Sequence, residues 1–125
     1  MDVDGALAEI AYALDVLKLD GFVLFTNING TYLGDKSFDP VFEELNRRKA
    51  VVFVHPVAPP GFDIDRLGFP APCIEFPFDT TRMMMNMIAS GTVRRCPDVR
   101  MIVAHGGGTL PFLAHRIGRN IVRFG

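Results

Sequence analysis

The stretch Val51-Val52-Phe53-Val54-His55-Pro56 decides the fold. Its four apolar residues are rich in β-branched side chains and suit a short strand that is buried on both faces, as in a parallel sheet. Pro56 has no N–H to donate, so strand pairing ends there and the His55 imidazole is left at the edge of the sheet. A second run, Met101-Ile102-Val103-Ala104, stops in the same way at His105. We therefore expect both histidines at the carboxyl ends of parallel strands.

The segments around these two runs alternate between helical and strand patterns. Apolar residues at helical spacing predict a helix over 5–18, and unbroken apolar runs predict strands over 22–25, 50–54 and 100–104. Further helices are predicted from Asp39-Pro40, from a cap at Asp79 or Thr80 to near Gly91, and from Thr109 or Pro111 towards Val122. The order αβαβαβα predicts an α/β fold with a parallel sheet and right-handed crossovers.

Composition excludes several classes of function. The chain has 125 residues, the size of one domain, and its 13 basic and 14 acidic residues leave a formal charge of −1. This balance predicts neither a nucleic-acid partner nor binding to an anionic membrane. No apolar run is long enough to span a bilayer. Cys73 and Cys96 lack the spacing of a disulfide or metal motif, which is typical of reduced thiols in a cytoplasmic protein.

The two histidines allow more than one chemistry. A neutral imidazole at the position of His55 is a good zinc ligand, but a buried histidine bonded to a nearby carbonyl fits equally well. His105 is followed by three glycines, which permit positive φ angles, close backbone approach and N–H groups that favour an anion. His105 could then act as a general acid, a general base or a hydrogen-bond donor beside a carboxylate substrate. The alternative is a tight turn with an incidental histidine.

Arg116 is the third candidate residue. It falls close to the apolar face that Leu113 and Ile117 define on the last predicted helix, so a simple solvated position is not obvious. A guanidinium there could pair with a carboxylate, either in its own site or across a subunit interface. The alternative is an ordinary surface residue. The sequence contains no GxGxxG, GxSxG, HExxH or P-loop motif.

The combination of these units is specific enough to indicate a family. Besides the two strand-to-histidine units and Arg116, the chain contains Phe38-Asp39-Pro40-Val41-Phe42-Glu43-Glu44-Leu45-Asn46 and Glu75-Phe76-Pro77-Phe78-Asp79-Thr80-Thr81-Arg82. With these stretches it resembles the amidohydrolase-related metal-dependent decarboxylases. That group includes the decarboxylases of aminocarboxymuconate semialdehyde, γ-resorcylate and 6-methylsalicylate.

The resemblance implies a (β/α)8 barrel with one divalent metal, commonly zinc. It implies that His55 is a metal ligand and that His105 is the catalytic histidine that contacts the metal-bound water or the substrate. It also implies that Arg116 binds the substrate carboxylate and can reach a neighbouring subunit, so that the protein forms a homodimer or a higher oligomer. The implied reaction is the non-oxidative loss of CO₂ from a small aromatic or muconate-like carboxylic acid.

The chain departs from this family in its length and in its histidines. Its three histidines do not include the His-x-His pair of the family's first strand, and the family's strand-eight aspartate would lie beyond Gly125. A complete barrel needs about 250 residues. We therefore expect residues 1–125 to be the central part of a single barrel domain, with three or four βα units. A metal-dependent hydrolase or hydratase of the same superfamily, and an inactive fragment with only an association role, are the alternatives.

Overall fold

The computed structural model describes residues 2–63 and 68–124, with side chains as far as residue 121. The helices are α1 (Val3–Ala11), α2 (Asp39–Arg47), α3 (Glu75–Ala89), α4 (Thr92–Arg95) and α5 (Leu110–Phe124), and the strands are β1 (Gly21–Phe25), β2 (Asn27–Ile28), β3 (Thr31–Tyr32), β4 (Val51–His55) and β5 (Arg100–Val103). Helix α1 continues into a π-helical turn, Tyr12–Val16. Single 3₁₀ turns occur at Lys36–Phe38 and Ala71–Cys73, and His105–Gly107 form a turn in which all three residues have positive φ angles.

Strands β1, β4 and β5 form a parallel sheet with β4 in the centre. Phe25 pairs with His55 on one side of β4, and Val54 pairs with Val103 on the other. The three strands thus end at the same level, and the segments that follow them meet at one edge. Strands β2 and β3 form a small antiparallel hairpin directly after β1.

The two faces of the parallel sheet differ in burial. Val52 and Val54 of β4 are fully buried among side chains of α1, α2 and α3, with Phe42, Leu45 and Met83 at the centre of this core. Alternate residues of a strand point to opposite faces. On the opposite face Val23 is 63% exposed and Ile102 is 54% exposed. The helices therefore cover one face of the sheet, and the other is open in the described part of the chain.

This architecture confirms the predicted fold class, an α/β chain of successive βα units with a parallel sheet. In a βα barrel, helices like these form the outer layer and apolar residues like Val23 and Ile102 face the interior. Among the described residues, no helix combines the length and the apolar character needed to cross a membrane.

Two local predictions were wrong. Helix α3 begins at Glu75 rather than at a cap at Asp79 or Thr80, because Pro77 is tolerated in the first turn of a helix, where N–H groups have no partner within the helix. Residues 31–38, for which the sequence predicts neither a helix nor a strand, contain β3, the second strand of the β2–β3 hairpin, and a 3₁₀ turn. The hairpin turns at Asn29 and Gly30, which both have positive φ angles.

Candidate functional site

His55 lies at the carboxyl end of β4 with its ring orientation fixed by its neighbour. Its Nδ1 is 2.8 Å from the carbonyl oxygen of Pro56. A carbonyl can only accept, so Nδ1 carries the hydrogen and donates it. The other ring nitrogen, Nε2, then has its lone pair free for a metal or a proton. The hydrogen bond to a nearby carbonyl, which the sequence offered as an alternative to a ligand role, thus prepares the ring for that role.

His105 follows β5 in a left-handed backbone conformation that is uncommon outside glycine. Its φ angle is +54°, and Gly106, Gly107 and Gly108 all have positive φ as well. The predicted use of the glycines for positive φ is therefore confirmed. Non-glycine residues in this region concentrate at functional sites, because the surrounding structure must maintain the less favourable backbone. The His105 side chain is exposed.

The N–H groups of the last part of the glycine turn already have hydrogen-bond partners within the protein. Gly107 donates to Ala104 at 3.1 Å, Gly108 donates to His105 at 3.0 Å, and Thr109 donates to the Thr81 hydroxyl at 2.9 Å. These three N–H groups are therefore not available to a ligand. The expectation that these N–H groups bind an anion is therefore wrong, because the backbone folds back on itself before α5 begins and Thr109 bonds to α3.

The structure brings the two predicted histidines together. Their ring centroids are 5.8 Å apart, with 64° between the ring planes. The Phe76 ring of α3 lies beside both imidazoles, with its centroid 5.9 Å from that of His55 and 6.2 Å from that of His105. The site is thus a cluster of three rings at the carboxyl edge of the sheet.

Helix α3 also holds the His105 turn in place. A Cβ added to Gly108 would overlap the carbonyl oxygen of Pro77, so the turn lies directly on the first turn of α3. Thr81 reaches the same turn, because its hydroxyl is 2.9 Å from the hydroxyl of Thr109. The predicted close backbone approach is confirmed at Gly108, and no side chain larger than hydrogen fits there.

A buried carboxylate beside the site is a feature that the sequence analysis missed. Asp79 is fully buried inside α3 and accepts hydrogen bonds from three side chains: Thr26, Asn27 at 3.1 Å and Tyr32 at 2.6 Å. The residue type of Asp79 predicts a helix cap, because Asp favours such positions. Pro77 was the signal that could have placed the start of α3 earlier and Asp79 in the helix interior.

Tyr32, like Asn27, bonds the hairpin to this carboxylate. Burial, followed by the hydrogen bond to Asp79, raises the pKa of the phenol to about 12. The phenol therefore stays protonated and keeps donating over the physiological range. Through this bond the β2–β3 hairpin is fixed to α3 next to the carboxyl edge of β1.

Arg116 lies elsewhere, on an exposed part of α5. It lines a groove of about 540 Å³ between α3 and α5, together with Met85, Leu113 and Ile117. The prediction that Arg116 lies near the apolar face of its helix is confirmed. The three-ring cluster does not include it, so a role for Arg116 in binding substrate stays a prediction.

The described residues do not complete a metal site. They contain no group of three or more His, Cys, Asp or Glu side chains that could hold a metal ion. A catalytic zinc site uses three protein ligands and an open position. His55 has a free Nε2 and fits the role of one ligand, but the residues described here supply no complete coordination shell.

Comparison with known proteins places this chain in a family. The amidohydrolase family profile matches residues 1–120. The chain therefore belongs to the amidohydrolase family.

Its relatives within that family are decarboxylases. The decarboxylase macB of Penicillium terrestre is 48% identical over 120 residues, which cover 91% of this chain and 36% of that protein. The 6-methylsalicylic acid decarboxylase acuB of Aspergillus aculeatus is 44% identical over 113 residues, which cover 89% of this chain and 34% of that protein. The chain thus spans about a third of the length of the curated relatives it matches.

Solved structures show the same fold. The 5-carboxyvanillate decarboxylase LigW of Sphingomonas paucimobilis superposes with a TM-score of 0.85 and 30% identity, over 99% of this chain and 39% of that one. Two other decarboxylases of this fold, each less than 25% identical to the chain, were solved with manganese. The chain thus matches part of such an enzyme, which confirms the predicted partial (β/α)8 barrel.

Proposed function

We propose that this chain is the central part of a metal-dependent, non-oxidative decarboxylase that acts on an aromatic or muconate-like carboxylic acid. The observation that carries the proposal is the meeting of His55 and His105, 5.8 Å apart, at the carboxyl edge of two neighbouring parallel strands. Active sites of βα barrels form at that edge. In this proposal residues 1–125 belong to one barrel domain.

Each histidine has a role that suits its surroundings. His55 is proposed as one ligand of a divalent cation, zinc being one candidate, because its Nδ1–H is bonded to Pro56 and its Nε2 is free. His105 is proposed as the catalytic residue on the substrate side, where its exposed ring can exchange a proton or a hydrogen bond with the substrate. In a decarboxylation the bond to the carboxyl carbon breaks, CO₂ leaves, and the ring carbon takes up a proton.

The substrate class rests on the relatives. Two of them are named for 6-methylsalicylic acid and 5-carboxyvanillate, which are both aromatic carboxylic acids. Arg116 is proposed to bind the substrate carboxylate, because a guanidinium forms paired hydrogen bonds with this group. Its position on α5, away from the three-ring cluster, favours a contact across a subunit interface in a homodimer or higher oligomer. The unpaired thiols of Cys73 and Cys96 support a reducing, cytoplasmic compartment.

The test is an assay of CO₂ release from 6-methylsalicylate and 2,6-dihydroxybenzoate together with metal analysis. It compares the 125-residue chain with any longer product of the same gene. We expect the chain alone to hold less than one tightly bound zinc and to release no CO₂, since the described residues lack a full ligand set. The longer product should release CO₂, and His55→Ala or His105→Ala should abolish this activity. His115→Ala, on the exposed side of α5, is the matched control and should retain it.

The outcomes separate the alternatives. Hydrolysis or hydration by the longer product without CO₂ release contradicts the decarboxylase and favours the related hydrolase or hydratase. Stoichiometric metal and turnover in the 125-residue chain contradict the expectation that it is incomplete. If no product that contains this sequence binds metal or turns over, the inactive fragment with an association role remains.

A further inference from the structure

We propose that Asp79 is a positioning residue for His55, acting through the hydroxyl group of Thr26. This inference rests on the proposed function only in taking His55 as a functional side chain. The geometry itself requires neither metal nor substrate. It concerns a hydrogen-bonded path from the interior of α3 to the backbone on both sides of His55.

Thr26 contacts the chain before and after Pro56. Its N–H donates to the carbonyl oxygen of His55 at 3.2 Å, and its Oγ1 accepts from the N–H of Val57 at 3.3 Å. In a regular parallel ladder the N–H of Val57 would donate to the carbonyl oxygen of Thr26, but here it donates to Thr26 Oγ1 instead. The Thr26 side chain takes the place of the missing ladder bond and holds the backbone where the imidazole is attached.

Asp79 determines which way the Thr26 hydroxyl points. A hydroxyl has one hydrogen to donate and two lone pairs. Thr26 donates its hydrogen to Asp79 Oδ2, so a lone pair is left for the N–H of Val57. Without the carboxylate the hydroxyl is free to rotate, and the bond to Val57 loses its fixed acceptor.

Burial makes this arrangement rigid. Asp79 and Thr26 are both 0% exposed, so water does not compete for their hydrogen bonds. A buried carboxylate is unfavourable unless donors surround it, and Asp79 has three. Asn27 and Tyr32 would suffice to fix the hairpin. The bond to Thr26 adds the connection to His55.

The same helix positions both histidines. Two residues after Asp79, Thr81 accepts from the N–H of Thr109 at 2.9 Å, and Pro77 lies against Gly108 in the His105 turn. Helix α3 therefore holds the segment after β4 through Asp79 and the segment after β5 through Thr81. The distance between the two imidazoles depends on this one helix.

Amide hydrogen exchange at Val57 and the ¹⁵N shifts of the His55 imidazole test the proposal in the 125-residue chain. Thr26→Val removes the hydroxyl at nearly constant volume. We expect the Val57 amide to exchange about tenfold faster, the effect of losing one net hydrogen bond, and the His55 ring signals to shift. Thr26→Ser keeps the hydroxyl and should restore both readouts. Asp79→Ala should reproduce the effect of Thr26→Val, and Asp79→Asn, which keeps an oxygen that can accept from Thr26, should resemble the wild type.

Tyr32→Phe is the matched control. It removes another donor to Asp79 and weakens the hairpin but leaves the path through Thr26 intact, so Val57 and His55 should stay unchanged. The proposal is overturned if Thr26→Val folds with Val57 still protected, or if Tyr32→Phe has the same effect as Thr26→Val. If Asp79→Ala does not fold, the comparison of Thr26→Val with Thr26→Ser and the readouts of Asp79→Asn test the proposal instead. Neither readout needs a metal or a substrate, so a failed decarboxylase assay would leave the outcome of this test unchanged.

Discussion

The imidazole rings of His55 and His105 meet edge to face, with their centroids 5.8 Å apart, although fifty residues separate them in the chain. They meet because β4 and β5 are parallel neighbours and therefore end at the same edge of the sheet. Phe76 contacts both rings and limits how far either can move. A ligand that reaches one histidine is thus expected to affect the other.

Paramagnetic manganese should reveal this proximity. We predict that Mn²⁺, added to the chain with ¹⁵N-labelled histidine, broadens the ring signals of His55 and His105 together, at weak affinity because the ligand set is incomplete. His115, which is exposed on α5, serves as the internal control and should stay sharp. His55→Ala should remove the effect at His105. Equal broadening of all three histidines would contradict a site at the sheet edge.

Two glycines of the His105 turn offer a matched test of packing. Gly106 and Gly108 both have positive φ, but a Cβ at Gly106 meets open space and a Cβ at Gly108 meets Pro77. Gly106→Ala should lower the free energy of unfolding by about 1–2 kcal/mol, the cost of a left-handed residue. Gly108→Ala should cost a further ~1–3 kcal/mol, because a Cβ there overlaps Pro77 and because its backbone, at φ 66° and ψ −129°, lies in a region that glycine adopts and other residues avoid.

Urea unfolding of the two glycine variants measures this difference. Only Gly108→Ala should also shift the His105 ring signals, because only this substitution pushes the turn away from α3. Equal loss of stability in both variants would show that the turn does not pack on Pro77.

Tyr32 should make stability sensitive to alkaline pH. Burial and the bond to Asp79 raise its pKa to about 12 from an ordinary value of about 10. The folded chain therefore holds the phenolic proton more tightly than the unfolded chain. Its stabilising contribution is fully present below pH 10 and is lost as the pH rises towards 12.

Tyr32→Phe should flatten this alkaline loss, measured as the free energy of unfolding in urea at a series of pH values. At neutral pH it should cost about 1–3 kcal/mol, because a buried carboxylate loses a donor. Tyr12→Phe is the control, since Tyr12 is half exposed. An unchanged alkaline profile in Tyr32→Phe would contradict the assignment.

Two valines should report whether the open face of the sheet is covered in solution. Val52 is fully buried beneath the helices, whereas Val23 is 63% exposed on the opposite face. Val52→Ala should cost about 2 kcal/mol of stability, the value of burying such a side chain. Val23→Ala should change stability by less than about 0.5 kcal/mol in an isolated chain.

Repeating the two measurements at several protein concentrations tests whether copies of the chain associate through the open face. An open apolar face favours self-association. If copies associate through this face, the cost of Val23→Ala in urea unfolding will approach that of Val52→Ala and will increase with protein concentration, and sedimentation will show the associated species. A cost for Val23→Ala that is small and independent of concentration would contradict association through this face.

Much of the fold was predictable because its signals are local. The runs before His55 and His105 have the apolar composition of parallel strands, and Asp39-Pro40 marks the start of α2 as expected. The hairpin after β1 was missed because two strands of two residues each carry no periodic pattern. The start of α3 was misplaced because Asp79 has the residue type of a cap, and only its burial shows otherwise.

The sequence by itself determined the order of the three parallel strands and the four main helices, and the position of His55 and His105 at the ends of strands. These features follow from hydrophobic periodicity and from the missing N–H of Pro56, which act over a few residues. Tertiary structure decided the distance between His55 and His105, the close fit of Gly108 on Pro77 and the gathering of Thr26, Asn27 and Tyr32 around Asp79. Each of these depends on contacts between residues far apart in the chain, which no local pattern encodes. The carboxylate beside the candidate site therefore became visible only when α3 packed against the carboxyl edge of the sheet.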